Sequence, residues 1–273
     1  MTFPTDAPVQ LDEVPDFSGE VAAFYDRYRR DYPEDLVDEL VAACAADGAV
    51  AIDIGCGTGQ LSVPLARRMA TVIALDPSAD MLRYARRRAG RAGTANLLPV
   101  LADATALPAV AVALGPGTLR LITVGTAIHL MDHRRLFADA ARVLPAGGGL
   151  AVLANGTPIW MQSTAASRAL RSAIEQWFGI TLTRTCATSP EELAGLRLAM
   201  EDNGFRVTEM ARDSTVQLTA EEVFGLVCSA LGPEMLPAPG LDRLAFAAHL
   251  EAALDGLLPV PDLSTVRVLL GRR

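Results

Sequence analysis

The chain has 273 residues, 51% of them hydrophobic, and a formal net charge of −8. That length supports one large domain, or a domain with a smaller cap, around a sizeable core. The acidic balance disfavours a nucleic-acid partner, which needs a clustered basic surface, and the complete absence of lysine among the 24 basic residues excludes a lysine Schiff base and the lysine of a P-loop.

Taken in chain order, residues 1–18 carry three prolines and little periodicity and read as a loose N-terminal arm. Its opening stretch, "MTFPTDAPVQLDEVPDF", has no apolar signal core, and no later run approaches the roughly 20 apolar residues a bilayer needs. The expectation is a soluble, cytoplasmic protein with no membrane partner. "PEDLVDELVAACAADG" (33–48) is helical: Leu36, Val37, Leu40, Val41 and Cys44 share a face, Pro33 suits the first turn and Gly48 the stop. Strands then alternate with helices. The strands fall at 49–55, 71–76, 97–103, 119–125 and 149–155, and the helices at about 59–69, 78–91 and 132–144. Pro99 cannot donate to a ladder, so the third strand belongs at a sheet edge. Strands apolar on both faces, alternating with helices, imply a parallel sheet covered on both sides. The dense arginines between Arg83 and Arg91 fit the solvated face of a helix whose inner face is Met81, Leu82, Ala85 and Ala89. Beyond Asn155 the pattern changes: helices at 159–178, 190–202 and 241–256, a helix from Thr219, and strands at 205–210 and 265–271. Ser189 with Glu192, and Thr219 with Glu222, make capping boxes. The four cysteines, Cys44, Cys56, Cys186 and Cys228, lack paired spacing, so no metal and no disulfide framework is expected.

The stretch "AIDIGCGTGQL" (51–61) is the informative one. Gly55, Gly57 and Gly59 follow the first strand directly, at the carboxyl end of the sheet, where ligands bind in open α/β folds. Asp76 ends the second strand, where a carboxylate accepts ribose hydroxyls. Asp103 and Ala104 end the third, where a carboxylate and a backbone amide match the amine and ring nitrogen of adenine. Asp53 precedes the first glycine. A carboxylate there would repel a pyrophosphate and would welcome an amino group or a positive centre. The loop is G-x-G-x-G, with Gln60 where a dinucleotide fingerprint has its last glycine. Ribose, adenine, an amine and no pyrophosphate cradle describe S-adenosylmethionine better than NAD.

With these features the sequence resembles the class I S-adenosylmethionine-dependent methyltransferases. "AIDIGCGTGQL", "VIALDPSADML", "VLADATALP", "LITVGTAIHLMD" and "ARVLPAGGGLAV" resemble that family's successive motifs, and "YDRYRRDYP" resembles an element of its small-molecule branch, which includes trans-aconitate-methyltransferase-like proteins. The resemblance implies a Rossmann-like, seven-stranded, mostly parallel sheet in the order 3-2-1-4-5-7-6 with helices on both faces. It implies a methyltransferase core at 19–155, a helical cap over the substrate at 156–202, and a C-terminal part, 203–273, completing the sheet. It implies S-adenosylmethionine as cofactor, bound by Asp53, Gly55, Cys56, Gly57 and Gly59 at the methionine end, Asp76 and Pro77 at the ribose, Met81, Asp103 and Ala104 at the adenine, and Gly125. Tyr25, Arg29 and Tyr32 match residues that close over the cofactor, the arginine on its carboxylate. Arg30 stands where that pattern has proline, so either arginine could be the carboxylate partner. Arg120 replaces an acidic residue at the start of the fourth strand and is taken as a structural variation.

His129, after the fourth strand, is the candidate general base, since imidazole suits neutral pH; a structural role or a place in the pocket wall is the alternative. His133 and His249 read as surface and helix-face residues. Trp160, Met161, Trp177 and Phe178 could line an acceptor pocket or simply form the inner face of the cap. The scarcity of polar residues there suggests a largely apolar small molecule, methylated on oxygen or nitrogen, within secondary metabolism. Two other functions compete: use of the bound sulfonium for a cyclisation or rearrangement, or as a non-catalytic partner, and a nicotinamide-dependent reductase, which Gln60 and the missing Tyr-x-x-x-Lys pair disfavour. Monomer and homodimer remain equally open.

Overall fold

The computed structural model describes residues 17–183 and 188–273; nearly all of the expected arm, and Cys186, lie outside the described residues. Two helices, α1 (Gly19–Tyr28) and α2 (Glu34–Ala43), precede the first strand, β1 (Val50–Ile54). Then follow α3 (Ser62–Ala66), β2 (Thr71–Asp76), α4 (Ala79–Ala92), β3 (Leu97–Leu101), α5 (Leu107–Leu114), β4 (Leu119–Gly125), α6 (His133–Val143) and β5 (Gly149–Asn155). The chain continues through α7 (Ala165–Phe178), α8 (Pro190–Asp202), β6 (Arg206–Leu218), α9 (Ala220–Cys228), α10 (Leu241–Ala253) and β7 (Val260–Arg272). The strands form one sheet in the order β3-β2-β1-β4-β5-β7-β6, parallel except for β7, which runs antiparallel to both its neighbours. Pro99 sits on the edge strand, as its missing donor requires.

The sheet is buried on both sides. Leu36 and Leu40 of α2, Leu65 of α3 and Leu82 of α4 cover one face. Leu107 of α5, Phe137 of α6 and Met200 of α8 cover the other. A third apolar cluster takes in Leu218 of β6 and Val260 of β7 and joins Leu170 and Ile174 of α7, Val223 and Val227 of α9, and Phe246 and Leu250 of α10. The two helices expected together over 156–202 therefore pack in different places. Leu196 and Met200 put α8 on the sheet, while α7 joins α9 and α10.

Several elements differ from the sequence expectation for physical reasons. β6 and β7 are each 13 residues long, against six and seven expected from the sequence. Asn155, the last residue of β5, pairs with Val266, and from there the two strands run on as a ribbon pairing only with each other, to Leu218 and Val260. The alternating exposure of that extension gives it a weak apolar signal. The helix α5, "LPAVAVAL", is apolar all round and so carries no helical period. Both expected capping boxes are present, at α8 and α9. No helix among the described residues is long and apolar enough to cross a membrane.

Candidate functional site

β1 carries Asp53 into the core, where it is 1% exposed. Its Oδ1 accepts the Thr123 hydroxyl of β4 at 2.7 Å, and its Oδ2 accepts the Ser62 hydroxyl at the start of α3. Burial pushes the Asp53 carboxyl up to about 6, against the pull of those two hydrogen bonds, and the nearby Asp76 carboxylate adds to the rise. Gly55 and Gly57 follow with φ of +67° and +55°, a region that side chains rarely enter. A Cβ on Gly55 would also stand 2.7 Å from the Cβ of Ala127, so only glycine fits. The backbone of Gly57 aims its N–H at Asp76 Oδ2, 2.8 Å away, and the Ser78 N–H reaches Oδ1 at 2.8 Å. Asp76 thus ties the loop after β1 to the tip of β2. Burial raises its pKa, and the two amides oppose that. Gly59 also has a left-handed φ, +94°, although a Cβ there would make only an ordinary contact with Ala85 of α4 at 3.5 Å.

A roof closes over this loop. Tyr25 of α1 lies 3.6 Å from where a Gly57 Cβ would be. The Arg29 guanidinium stacks on the Tyr25 ring, 5.3 Å from its centroid, and its Nε donates to Ser229 Oγ, just past α9, at 2.8 Å. Arg30 turns to the β6–β7 ribbon and pairs with Asp262. Tyr32 is buried; its hydroxyl meets Thr126 Oγ1 at 2.9 Å, and a Cβ on Gly125 would come within 2.8 Å of it. Burial pushes the Tyr32 phenol upward, so it stays protonated and can donate. Thr126, at the tip of β4, has φ +50°, a genuine outlier for a β-branched residue. Its hydroxyl accepts the Asn155 N–H at 3.0 Å, which joins the tips of β4 and β5.

These elements enclose one cleft. Of the residues anticipated from the sequence, Tyr25, Arg29, Arg30, Tyr32, Asp53, Gly55, Cys56 and Gly125 line it. Gly57 and Asp76 shape its loop. Asp103 stands exposed at the end of β3, where Thr105 occupies its Oδ1 through hydroxyl and amide and lowers its pKa. Met81 is buried, Ala104 is half-buried and Pro77 is exposed; none of the three lines the cleft. His129 is exposed on the 3-10 turn Ile128–Leu130 and is not among the lining residues; that turn faces Ile128 inward and the imidazole out. Sequence reasoning missed Gln60, Leu61, Thr126 and Asn155, which complete the lining. For Thr126 and Asn155 the available signal was position alone, at the tips of the two central strands. No group of three or more His, Cys, Asp or Glu able to hold a metal ion occurs among the described residues.

The residues present fit the cofactor. Both Asp76 oxygens keep a lone pair beyond the amides they accept, which suits two vicinal hydroxyls. Asp103 keeps Oδ2 free among the described residues. Asp53 offers a buried negative charge with no basic partner among the described residues.

Residues 51–148 match the family described as a methyltransferase domain. The matched segment runs from β1 to the turn before β5 and contains the glycine loop. The chain is 31% identical over 137 residues to an uncharacterized methyltransferase of Mycobacterium bovis, covering 50% of this chain and 51% of the relative. It is 32% identical over 134 residues to the 2-phytyl-1,4-naphtoquinone methyltransferase of Thermosynechococcus vestitus, covering 48% and 55%. It thus spans about half the length of the curated relatives it matches. Among solved structures, the YcgJ protein of Bacillus subtilis superposes with a TM-score of 0.54 at 16% identity, over 88% of this chain and 99% of the other, a likeness of fold.

Proposed function

We propose that the protein transfers a methyl group from S-adenosylmethionine to a small molecule bound between the strand tips and the roof. The observation that carries this is the set of carboxylates at the tips of β1, β2 and β3, with the Gly57 amide locked onto Asp76. When bound, the cofactor supplies a methyl group already activated by a positive sulfur. The chain's own part is alignment and exclusion of water. Asp76 and Asp103 orient the nucleoside, Arg29 holds the carboxylate, and Asp53 offsets positive charge from below. Tyr25 screens the loop from solvent, and Tyr32 donates from the cleft wall. The third cluster, α7 with α9 and α10, serves as the acceptor cap on a core at 19–155.

The lining changes the acceptor's expected character. Arg30, Thr126, Asn155 and Tyr32 make that wall polar, so the acceptor carries a polar handle and is not the largely apolar molecule suggested by the residues of 156–202. His129, facing out, is given no proton to move. The buried free thiols Cys44, Cys56 and Cys228 suit a reducing compartment, which supports the cytoplasm as the place of action.

Calorimetry with S-adenosylmethionine and S-adenosylhomocysteine, followed by a methyl-transfer screen over small alcohols, phenols, amines and acids, tests this. Saturable binding of both, and formation of S-adenosylhomocysteine with at least one acceptor, is the expected result. Folded protein that takes up neither nucleoside would sink it.

A further inference from the structure

Two adjacent arginines line the cleft, and they are held from opposite sides. Arg29 belongs to the cofactor side: its guanidinium lies over Tyr25, which covers Gly57. Its one hydrogen bond among the described residues runs from Nε to Ser229, which leaves the paired Nη ends for a ligand. Arg30 belongs to the ribbon side. Its Nη2 is tied to Asp262 Oδ2, and Asp262 is 7% exposed. The other oxygen of Asp262 accepts from Gln162 Nε2 at 2.7 Å. Gln162 also donates to the Thr157 carbonyl at 3.0 Å and accepts the Leu263 N–H at 3.0 Å. Asp262 lies on the stretch of β7 that runs past Asn155, the last residue of β5. The network therefore joins the chain after α1, the segment after β5 and the overhanging ribbon.

We infer that Arg30 is the acceptor-binding arginine and that Asp262, steadied by Gln162, is the residue that positions it. One carboxylate needs one guanidinium fork, and Arg29 already supplies it on the cofactor side. Arg30 has no hydrogen-bond acceptor besides Asp262 among the described residues, the Glu222 carboxylate acts on its charge from nearby, and it lines the cleft whose wall continues into Asn155. Asn155's side-chain amide has no partner among the described residues either. A guanidinium only donates. The group it meets is an oxygen acceptor, a carboxylate or a carbonyl, on the molecule to be methylated. Asp262 keeps the long Arg30 side chain from folding toward the cofactor, and the ion pair lowers the side-chain entropy lost when an acceptor binds.

This rests on the function proposed above, and the two can fail separately. Wild type that binds no S-adenosylhomocysteine ends that function. Given binding, the same titration is run on Arg29→Gln, Arg30→Gln, Asp262→Asn and the double variant Arg30→Gln with Asp262→Asn. Arg29→Gln is expected to weaken the nucleoside about tenfold or more, and Arg30→Gln and Asp262→Asn to stay within about twofold. Each protein, saturated with S-adenosylhomocysteine, is then titrated by ligand-observed NMR with benzoate and citrate and with their methyl esters and amides. At least one probe binds wild type and loses about tenfold in Arg30→Gln. Asp262→Asn reproduces that loss, the double variant is no worse than either single change, and Arg30→Lys recovers part of it for the charged probes. Binding of the acids alone identifies a carboxylate partner; binding of esters and amides as well identifies a carbonyl. Equal loss of S-adenosylhomocysteine in Arg29→Gln and Arg30→Gln, probes indifferent to Arg30, or no probe bound at all would overturn the assignment. Arg30 keeps 36% of its side chain exposed, so its replacement is informative even where Asp262→Asn does not fold.

Discussion

The two walls of the cleft are made differently. The loop wall is backbone held by a nearby carboxylate: Gly57 and Asp76 are 19 positions apart, and their bond needs only the β1–α3–β2 crossover. The opposite wall is assembled from side chains distant in sequence, with Arg29 reaching Ser229 across 200 positions and Arg30 reaching Asp262 across 232. The first kind of wall is fixed as soon as the parallel strands pair. The second exists only once the ribbon, α9 and α1 have docked, and it can loosen without the sheet opening. A floor fixed by local contacts thus faces a roof assembled from distant ones.

The largest effect should come from the loop wall. Gly55→Ala forces a side chain into the left-handed region and 2.7 Å from Ala127. Strain and overpacking together should cost about 3 kcal/mol, seen as a melting temperature lower by roughly 10 °C. S-adenosylhomocysteine affinity should fall with it, because the Gly57 amide shifts off Asp76. A change under about 1 kcal/mol would show that the loop adapts and that its rigidity has been overstated.

That difference between the walls also decides what could be read from the sequence. The floor was legible because its chemistry is local: glycines after an apolar run, and acids at successive strand tips, are adjacent or at fixed spacing. Pro99 named its own edge strand. In the roof, Tyr25, Arg29 and Tyr32 were legible from "YDRYRRDYP", but their distant partners were not: nothing near Arg30 points to Asp262, and β6, which pairs with the stretch of β7 carrying Asp262, is exposed along much of its length. The helix α5 hid because an apolar helix has no period. His129 was attractive by position alone, and it sits exposed on a 3-10 turn, outside the residues that line the cleft. Thr126 and Asn155 look ordinary until the strained turn brings their tips together.

A second test probes the floor's buried charge. The folded protein holds the Asp53 proton more tightly than the unfolded chain, about 6 against 3.8. The associated stability is therefore full below the lower value and is lost as pH rises through the upper one. The size is roughly 2–3 kcal/mol. Asp76, also raised by burial, adds a change of the same sign. In Asp53→Asn the amide can still exchange hydrogen bonds with the Ser62 and Thr123 hydroxyls, and the Asp53 share of the slope disappears. Urea titrations between pH 4 and 8 should then show wild type losing stability relative to the variant up to about pH 6. Curves that stay parallel throughout would mean that folding leaves the Asp53 proton affinity unchanged.

The smallest effect is also the most discriminating between the walls. Thr219 caps α9, accepting the Glu222 N–H while the Glu222 carboxylate accepts the Thr219 N–H at 2.8 Å. Thr219→Ala should cost about 1 kcal/mol. Because α9 packs on α1 through the close approach of Gly225 to Tyr28, a frayed cap should loosen the roof first. Hydrogen exchange should quicken in α9 and α1 and stay unchanged in β1 and β4. Equal acceleration in all four elements would mean that floor and roof open as one cooperative unit, and the contrast between a locally fixed floor and a roof assembled from distant contacts could not then be maintained.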